Sequence, residues 1–202
     1  MKQEKQLKMI VYVDRRVKVM KYKKIALMGV AGSGKDWVYS NLIKKHPDLV
    51  RLSFSDHLKK IAHQTFDWLK RDYPPELKEK PLNIVTSLGE SIELTPREIW
   101  LKMNFLREIE NGLFVRKVKD DLDDLEFCGV ENFIITDLRT KPELDFVKKE
   151  GFKIIRILNP KNFHLENDFD KIQNSEEFLK AIDHTYYNAI GKAFDENEFF
   201  DF

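Results

Sequence analysis

Short runs of apolar residues alternate with amphipathic stretches along most of the chain. Residues 24–28 (KIALM), 132–137 (NFIITD) and 153–158 (KIIRIL) are nearly continuous apolar runs of strand length, as expected for strands of a parallel sheet that is covered on both faces. A helical pattern, WVYSNLIKK, comes soon after the first run, and another covers residues 142–150 and ends at Gly151. Strand, helix and strand in this order are typical of βαβ units and predict a doubly wound α/β fold.

The middle of the chain and its amino-terminal part depart from this alternation. Residues 55–125 contain several helix-like stretches, including HLKKIAHQTFDWLKR and PREIWLKMNFLREI, with prolines as breaks, and predict a helical insertion on the α/β core. The first 24 residues carry nine lysines or arginines against two acids. We expect a basic extension over residues 1–23, either as a small hairpin or as an appendage, and one domain over residues 24–202.

The amino-acid composition excludes several classes of protein. The 202 residues include 35 Lys plus Arg and 34 Asp plus Glu, for a net charge of +1, which gives no overall field to hold a nucleic-acid backbone or an anionic membrane. No apolar stretch approaches the roughly 20 residues of a membrane span, and the single cysteine, Cys128, excludes an internal disulfide. We expect a soluble, reduced, cytoplasmic protein that binds neither nucleic acid nor membrane, with Cys128 as a small buried hydrophobic residue.

A glycine-rich loop follows the first predicted strand directly. Residues 29–36 read GVAGSGKD and match the spacing G-x-x-x-x-G-K between a strand and a helix, which is the order that a P-loop requires. Glycine lets backbone N–H groups wrap around phosphate oxygens, and the helix N-terminus adds partial positive charge. We therefore predict that Lys35 reaches the β and γ phosphates of ATP. The predicted ATP-binding residues are Gly29, Val30, Ala31, Gly32, Ser33, Gly34, Lys35, Asp36 and Trp37.

Two acids are candidates for binding magnesium. Asp36 stands where the usual motif has a Ser or Thr ligand of Mg²⁺, and its carboxylate is suited to hold the metal directly or through water. Asp137 ends the apolar run of residues 132–137, so we expect it at the carboxyl edge of a parallel sheet, in the same crevice as the P-loop. The alternative for Asp137 is a cap of the following helix, and the two roles do not exclude each other.

Four segments in a fixed order carry a resemblance to a known family. They are GVAGSGKD, LSFSDHLKKIA at residues 52–62, TPREIW at residues 95–100 and IITDLRTKPELDFVKKEGFKIIRI at residues 134–157, and together they resemble the deoxynucleoside monophosphate kinases of bacteriophages. The resemblance implies a P-loop NTPase-type parallel sheet flanked by helices, with a helical acceptor-binding insertion. It also implies transfer of the γ-phosphoryl group of ATP, with Mg²⁺, to a (deoxy)nucleoside monophosphate. The chain departs from the family at Trp37, where Thr is common, and at His57, where proline is common.

Phosphoryl transfer depends mainly on positioning and on neutralising charge, so cations are the expected catalytic groups. We assign Lys35 to the β and γ phosphates, and Arg139, two residues after Asp137, to the transferring phosphoryl group or the acceptor phosphate. Asp56 and Lys59, one helical turn apart in the segment LSFSDHLKKIA, are candidates to hold the sugar and phosphate of the acceptor. The alternative for this pair is a helix N-cap and a surface lysine.

Three further residues are candidates for acceptor binding. Arg97 lies near a predicted helix N-terminus with Trp100 on the same face, which combines a phosphate or base contact with a stacking surface. The alternative is a surface arginine and a core tryptophan. Arg116, in the stretch LFVRKV, is another candidate for the acceptor phosphate.

The sequence is compatible with more than one kind of acceptor and with more than one oligomeric state. A kinase of another small phosphorylated acceptor, such as phosphomevalonate, and a nucleotide-binding module without catalysis both stand beside a nucleoside monophosphate kinase. The aromatic surface of Trp100 favours an acceptor with a base, and the presence of Lys35, Asp137 and Arg139 together favours catalysis. The tail FDENEFFDF packs either onto the core or onto a second subunit, which would make a homodimer.

Overall fold

The computed structural model describes residues 21–161, 168–189 and 191–201, and the proposed basic extension lies outside these residues except for its last three. The strands are β1 (Lys24–Met28), β2 (Val50–Leu52), β3 (Ile84–Val85), β4 (Ser91–Ile92), β5 (Phe133–Leu138), β6 (Lys153–Leu158) and β7 (His184–Tyr187). Five of them form one sheet in the order β2-β5-β1-β6-β7, and every neighbouring pair is parallel. The predicted α/β class with a parallel sheet is therefore confirmed.

Helices cover both faces of this sheet. They are α1 (Lys35–Lys45), α2 (Phe54–Thr65), α3 (Pro75–Lys78), α4 (Pro96–Lys102), α5 (Leu106–Ile109), α6 (Leu113–Phe127), α7 (Lys141–Lys149), α8 (Asp168–Gln173), α9 (Glu176–Lys180) and α10 (Glu196–Phe199), with a 3₁₀ turn at Met103–Phe105. The helix predicted over residues 142–150 is α7, displaced by one residue. None of the helices in the described ranges is long and apolar enough to cross a membrane.

The core divides into two clusters because side chains alternate between the two faces of each strand. Ala26 and Met28 of β1 face the larger cluster, which includes residues of α2, α6 and α7. Ile25 and Leu27 face the other cluster, which includes Val38 and Leu42 of α1. The apolar runs in the sequence thus belong to strands that are buried on both faces.

The region between β2 and β5 is mainly helical, with one element that the hydrophobic pattern does not predict. The short strands β3 and β4 pair antiparallel, apart from the main sheet. Thr95 caps α4: its side chain accepts a hydrogen bond from the backbone of Glu98, whose carboxylate accepts one from the Thr95 N–H.

The carboxyl-terminal part packs onto the core, which resolves one of the open alternatives. Phe199 and Phe200 are buried with Ile25, Leu27 and Leu42. The prediction for Cys128 is wrong: this residue follows the last turn of α6 and is exposed. A residue at a helix end on the protein surface stays accessible to solvent, unlike one on the helix face that packs against the core.

Candidate active site

All five strands of the main sheet end at the same edge, because they are parallel. The glycine loop follows β1, the start of α2 follows β2, and Arg139 follows β5. Ligands of open α/β sheets bind in the crevice at this edge. The chain therefore brings its predicted nucleotide-binding and catalytic residues together from segments that are far apart in sequence.

The loop at residues 29–34 has the backbone conformation that its glycines permit. Gly29, Gly32 and Gly34 have φ values of 151°, 73° and 94°, in the range that side chains with a Cβ rarely adopt. A Cβ at Gly29 would lie 2.5 Å from the Ile157 carbonyl oxygen. Gly34 then leads into α1, so the first N–H groups of that helix are directed at the crevice.

Two amide side chains, which sequence reasoning did not single out, hold this loop. The Gly29 N–H donates to Oε1 of Gln173 over 2.7 Å in a buried contact. Asn188 donates from Nδ2 to the Ser33 carbonyl over 2.9 Å. Both residues come from the segments after β6 and β7, more than 140 positions away along the chain, and no local pattern marks them.

Lys35 lies over the loop that it follows. Its ammonium group donates to the carbonyls of Gly29 and Val30, the latter at 3.1 Å, and approaches Oγ of Ser33 at 3.5 Å. Burial, and then the nearby charge of Arg139, lower the pKa of Lys35 to about 8, although Asp36, Asp170 and Asp137 oppose the shift. A partly buried lysine and an exposed arginine therefore lie close enough to repel each other, and an anion at this edge would stabilise both.

Asp137 caps a helix, but this helix is α2 rather than the following helix α7. Its Oδ2 accepts hydrogen bonds from Oγ of Ser53 at 2.9 Å and from the Ser55 N–H at 2.8 Å, and its Oδ1 accepts one from the Phe54 N–H at 3.1 Å. The pairing of β1 with β5 shifts register by one residue beside it, between Ile135 and Leu138. Such bulges commonly redirect a side chain next to a functional site.

Arg139 is exposed, and its guanidinium makes no ion pair within the described part of the chain. Its backbone is fixed instead: the N–H groups of Arg139 and Thr140 donate to Oε2 of Glu143 at 2.8 and 2.9 Å. Glu143 is fully buried and pairs with Nη2 of Arg107 at 2.9 Å. Burial raises the pKa of Glu143 against the effect of Arg107. The spacing Thr140-x-x-Glu143, a capping-box signature, could have identified this support.

Four side chains from β2, α2 and α4 form what we call the acceptor cluster: Arg51, Asp56, Lys59 and Trp100. Arg51, which sequence reasoning missed, donates to Oγ1 of Thr136 at 2.9 Å and to Asp56 at 2.6 Å. Lys59 lies 3.4 Å from Asp56 and 5.4 Å from the Trp100 ring centre. The structure thus brings together three of the five predicted acceptor residues. The N-cap of α2 is Ser53, not Asp56.

The cluster fixes the charge state of its carboxylate. Partial burial raises the pKa of Asp56, but the hydrogen bond and charge of Arg51, followed by those of Lys59, outweigh burial and lower the pKa below its usual value. Asp56 is therefore ionised and holds Arg51 and Lys59 by ion pairs. Nε1 of Trp100 is buried and has no hydrogen-bond partner among the described residues, and the ring of Tyr73 lies 6.1 Å from the Trp100 ring.

Arg97 and Arg116 lie outside this cluster. Arg97 pairs with Glu79, and Arg116 forms a two-pronged pair with Glu110 at 3.2 and 2.9 Å; all four side chains are largely exposed. Arg97 and Trp100 therefore have different neighbours although they lie three residues apart on α4. Exposed ion pairs of this kind contribute roughly 0–1 kcal/mol, so an incoming phosphate can displace either carboxylate.

The donor set suits magnesium that is carried by a nucleotide. Asp36 is exposed at the start of α1 and Asp137 is buried nearby, and both charges act on Lys35. The described residues contain no cluster of three or more metal-binding side chains. Mg²⁺ commonly binds through one or two carboxylates, with phosphate oxygens and waters completing its shell, so these two residues fit the ion.

Comparisons with known proteins add little to this geometry. No family model matches the chain, and no curated protein matches it. Among solved structures, a dephospho-CoA kinase from Campylobacter jejuni is 16% identical, with a TM-score of 0.44 over 86% of this chain and 90% of that one. A sugar kinase from Janibacter sp. HTCC2649 is 13% identical, with a TM-score of 0.36 over 84% of this chain and 86% of that one. At these TM-scores neither likeness decides what the chain does.

Proposed function

We propose that the protein is an ATP-dependent kinase that transfers the γ-phosphoryl group to a (deoxy)nucleoside monophosphate and forms the diphosphate. The observation that carries the proposal is the convergence of Lys35 and Arg139 on a glycine loop at the carboxyl edge of the sheet, beside Asp137. Two cations held close together at this edge favour a phosphate group, although the charges of Asp36, Asp137 and Asp170 also act on Lys35. Non-catalytic nucleotide binding does not require Arg139 at this position.

In the proposed reaction, the positively charged groups bind phosphates and the carboxylates bind the metal ion. Backbone N–H groups of the loop and the ammonium of Lys35 hold the donor phosphates, and Arg139 neutralises charge on the transferring group. Asp36 and Asp137 would hold Mg²⁺, which supplies further charge neutralisation when bound. Movement of Lys35 from the Gly29 and Val30 carbonyls to phosphate oxygens replaces two internal hydrogen bonds.

The acceptor cluster supports a phosphate rather than a hydroxyl acceptor. A hydroxyl acceptor requires a general base to take its proton, but the two oxygens of Asp56 are engaged by Arg51 and Lys59, which lower its pKa and weaken it as a base. A monophosphate provides an oxygen that is already ionised. Trp100 and Tyr73 provide aromatic surface, which suits a base and has no evident use for an aliphatic phosphate such as phosphomevalonate.

The proposal is tested by ADP release from ATP and Mg²⁺, with each common ribonucleoside and deoxynucleoside monophosphate and phosphomevalonate as separate acceptors. We expect one or more nucleoside monophosphates to stimulate release and to define the base and sugar preference. Stimulation by phosphomevalonate alone would show that the acceptor is an aliphatic phosphate and not a nucleoside monophosphate. ATP binding without stimulation by any acceptor would contradict the kinase assignment and favour a nucleotide-binding module.

A further inference from the structure

The sheet order sets the direction in which a donor nucleotide lies across the glycine loop. β5, which carries Asp137 and leads to Arg139, is on one side of β1, and β6 and β7 are on the other. The transferring phosphoryl group is directed toward Arg139 under the proposed function. The α phosphate, sugar and base then extend to the opposite side, toward the segment that follows β7.

An exposed aromatic side chain lies on that side. Trp37 is in the first turn of α1, two residues after Lys35, and is 38% exposed. Its ring meets the Phe194 ring edge-on, with centroids 6.0 Å apart and planes at 79°. Phe194 is itself held by Tyr186 and Phe199, at 5.8 and 5.7 Å. Trp37 is thus anchored at one edge while part of the indole stays open to solvent.

The segment that carries Phe194 is tied to the glycine loop. Asn188, the residue directly after β7, donates to the Ser33 carbonyl over 2.9 Å, and a Cβ at Gly34 would meet the same amide group. The segment after β7 therefore reaches both the glycine loop, through Asn188, and Trp37, through Phe194. An aromatic group at such a junction is close to both the sugar and the base of a nucleotide whose phosphates occupy the loop.

We propose that Trp37, buttressed by Phe194, is the stacking surface for the donor base and makes the site prefer purine over pyrimidine nucleoside triphosphates. Stacking on an aromatic side chain tolerates every base and strengthens with the overlapping ring area. The two-ring purines therefore gain most from the indole. This inference rests on the proposed function, because the direction of the donor follows from the role of Arg139.

The test compares nucleotide binding by the wild-type protein and by Trp37→Ala, Trp37→Leu and Trp37→Phe, measured by isothermal titration calorimetry with Mg²⁺. ATP, UTP and inorganic tripolyphosphate are the ligands. We expect the wild type to bind ATP about tenfold tighter than UTP, and Trp37→Ala to lose about tenfold in ATP affinity together with most of this preference. Trp37→Leu keeps apolar volume without a ring and should behave like Trp37→Ala, whereas Trp37→Phe should restore most of the affinity.

Tripolyphosphate separates base stacking from an effect on the loop. Its affinity should be unchanged in all three variants, and an equal loss for ATP and tripolyphosphate would overturn the inference. The matched control is Phe127→Ala, which removes an aromatic ring that is 93% exposed at the end of α6, near the amino end of β1; it should bind both ligands as the wild type does.

The same titrations distinguish this inference from the proposed function. Equal ATP affinity in the wild type and Trp37→Ala would overturn the stacking role and leave the kinase proposal standing. Failure of the wild type to bind either ATP or tripolyphosphate would contradict the phosphate site itself, and both proposals would then fail.

Discussion

Lys35 lies in surroundings that oppose its own charge. Burial and Arg139 lower its pKa from 10.5 to about 8. An unfolded lysine keeps its ordinary pKa, so between about pH 8 and 10.5 the unfolded chain binds more protons at this site than the folded protein. The free energy of unfolding therefore rises with pH across this window, and below it the full penalty for holding the charged form applies.

A neutral side chain at position 35 should remove this penalty. We expect Lys35→Met to stabilise the ligand-free protein by about 1–3 kcal/mol at pH 7, with the gain shrinking as pH rises toward 10.5. Urea denaturation of both proteins at a series of pH values measures the difference. A gain that is constant from pH 7 to 10.5 would show that titration of Lys35 is not its source.

Arg139 has no ion-pair partner for its guanidinium among the described residues, and its backbone is fixed by Glu143, which suits a group that must meet charge as it develops. We expect Arg139→Ala to lower turnover at least about a hundredfold, with a small change in ATP affinity. Arg139→Lys should recover part of the loss. A fall confined to acceptor affinity, seen in steady-state kinetics with the acceptor varied, would assign Arg139 to acceptor binding instead.

Arg51 acts through Asp56 in this account. Its removal leaves the partly buried Asp56 with Lys59 as its remaining cation at the site, so the acceptor cluster should lose its arrangement. We expect Arg51→Ala to raise the KM for the acceptor about tenfold while the KM for ATP stays within twofold, consistent with loss of one charge-assisted hydrogen bond. Lys148→Ala, which removes an exposed cation on α7, is the control and should change neither constant.

The glycine loop depends on elements that approach it from two sides. Gln173 of α8 and Asn188 after β7 hold its backbone, and Asp137 of β5 holds the start of α2. Segments that are distant in sequence therefore hold the loop, and β5 separately holds the start of α2. Under the proposed function, these contacts order the phosphate site before a nucleotide arrives, which lowers the entropy that binding must overcome.

The two tightest glycines should respond unequally to substitution. Both have positive φ, but a Cβ at Gly29 meets a backbone carbonyl in β6, whereas a Cβ at Gly34 meets the end of the Asn188 side chain. A side chain moves more easily than a strand in the core. We expect Gly29→Ala to lower the melting temperature more than Gly34→Ala, while both weaken ATP binding. Equal melting temperatures of the two variants in a thermal scan would contradict this account of the loop.

Gln173 satisfies a buried N–H, so its truncation should cost stability as well as function. We expect Gln173→Ala to lower the free energy of unfolding by about 1–3 kcal/mol, because the Gly29 N–H loses its partner. Gln173→Glu keeps an acceptor at this position and should cost less. Denaturant unfolding of the three proteins gives the comparison, and an unchanged stability of Gln173→Ala would show that the contact does not hold the loop.

Across the whole chain, sequence patterns predicted the features that lie within a single short segment. The apolar runs located β1, β5 and β6, and the glycine spacing located the phosphate loop, because each signal lies within one short segment. Asp56 and Lys59 were predicted as a pair and Trp100 as a separate candidate, and the contact between the pair and Trp100 depends on how α2 and α4 pack. Gln173, Asn188 and Arg51 were missed, since their roles arise from contacts between distant segments and carry no local signal.

Transfer of a phosphoryl group to a nucleoside monophosphate yields a diphosphate, which ³¹P nuclear magnetic resonance observes directly. ATP and Mg²⁺ are incubated with the acceptor that most stimulates ADP release, and with Lys35→Ala in parallel. We expect the γ-phosphate signal of ATP to fall while the β-phosphate signal of a new diphosphate rises in equal amount, and we expect neither change with Lys35→Ala. Loss of the γ signal to inorganic phosphate alone, or transfer by Lys35→Ala at the wild-type rate, would contradict the proposed function.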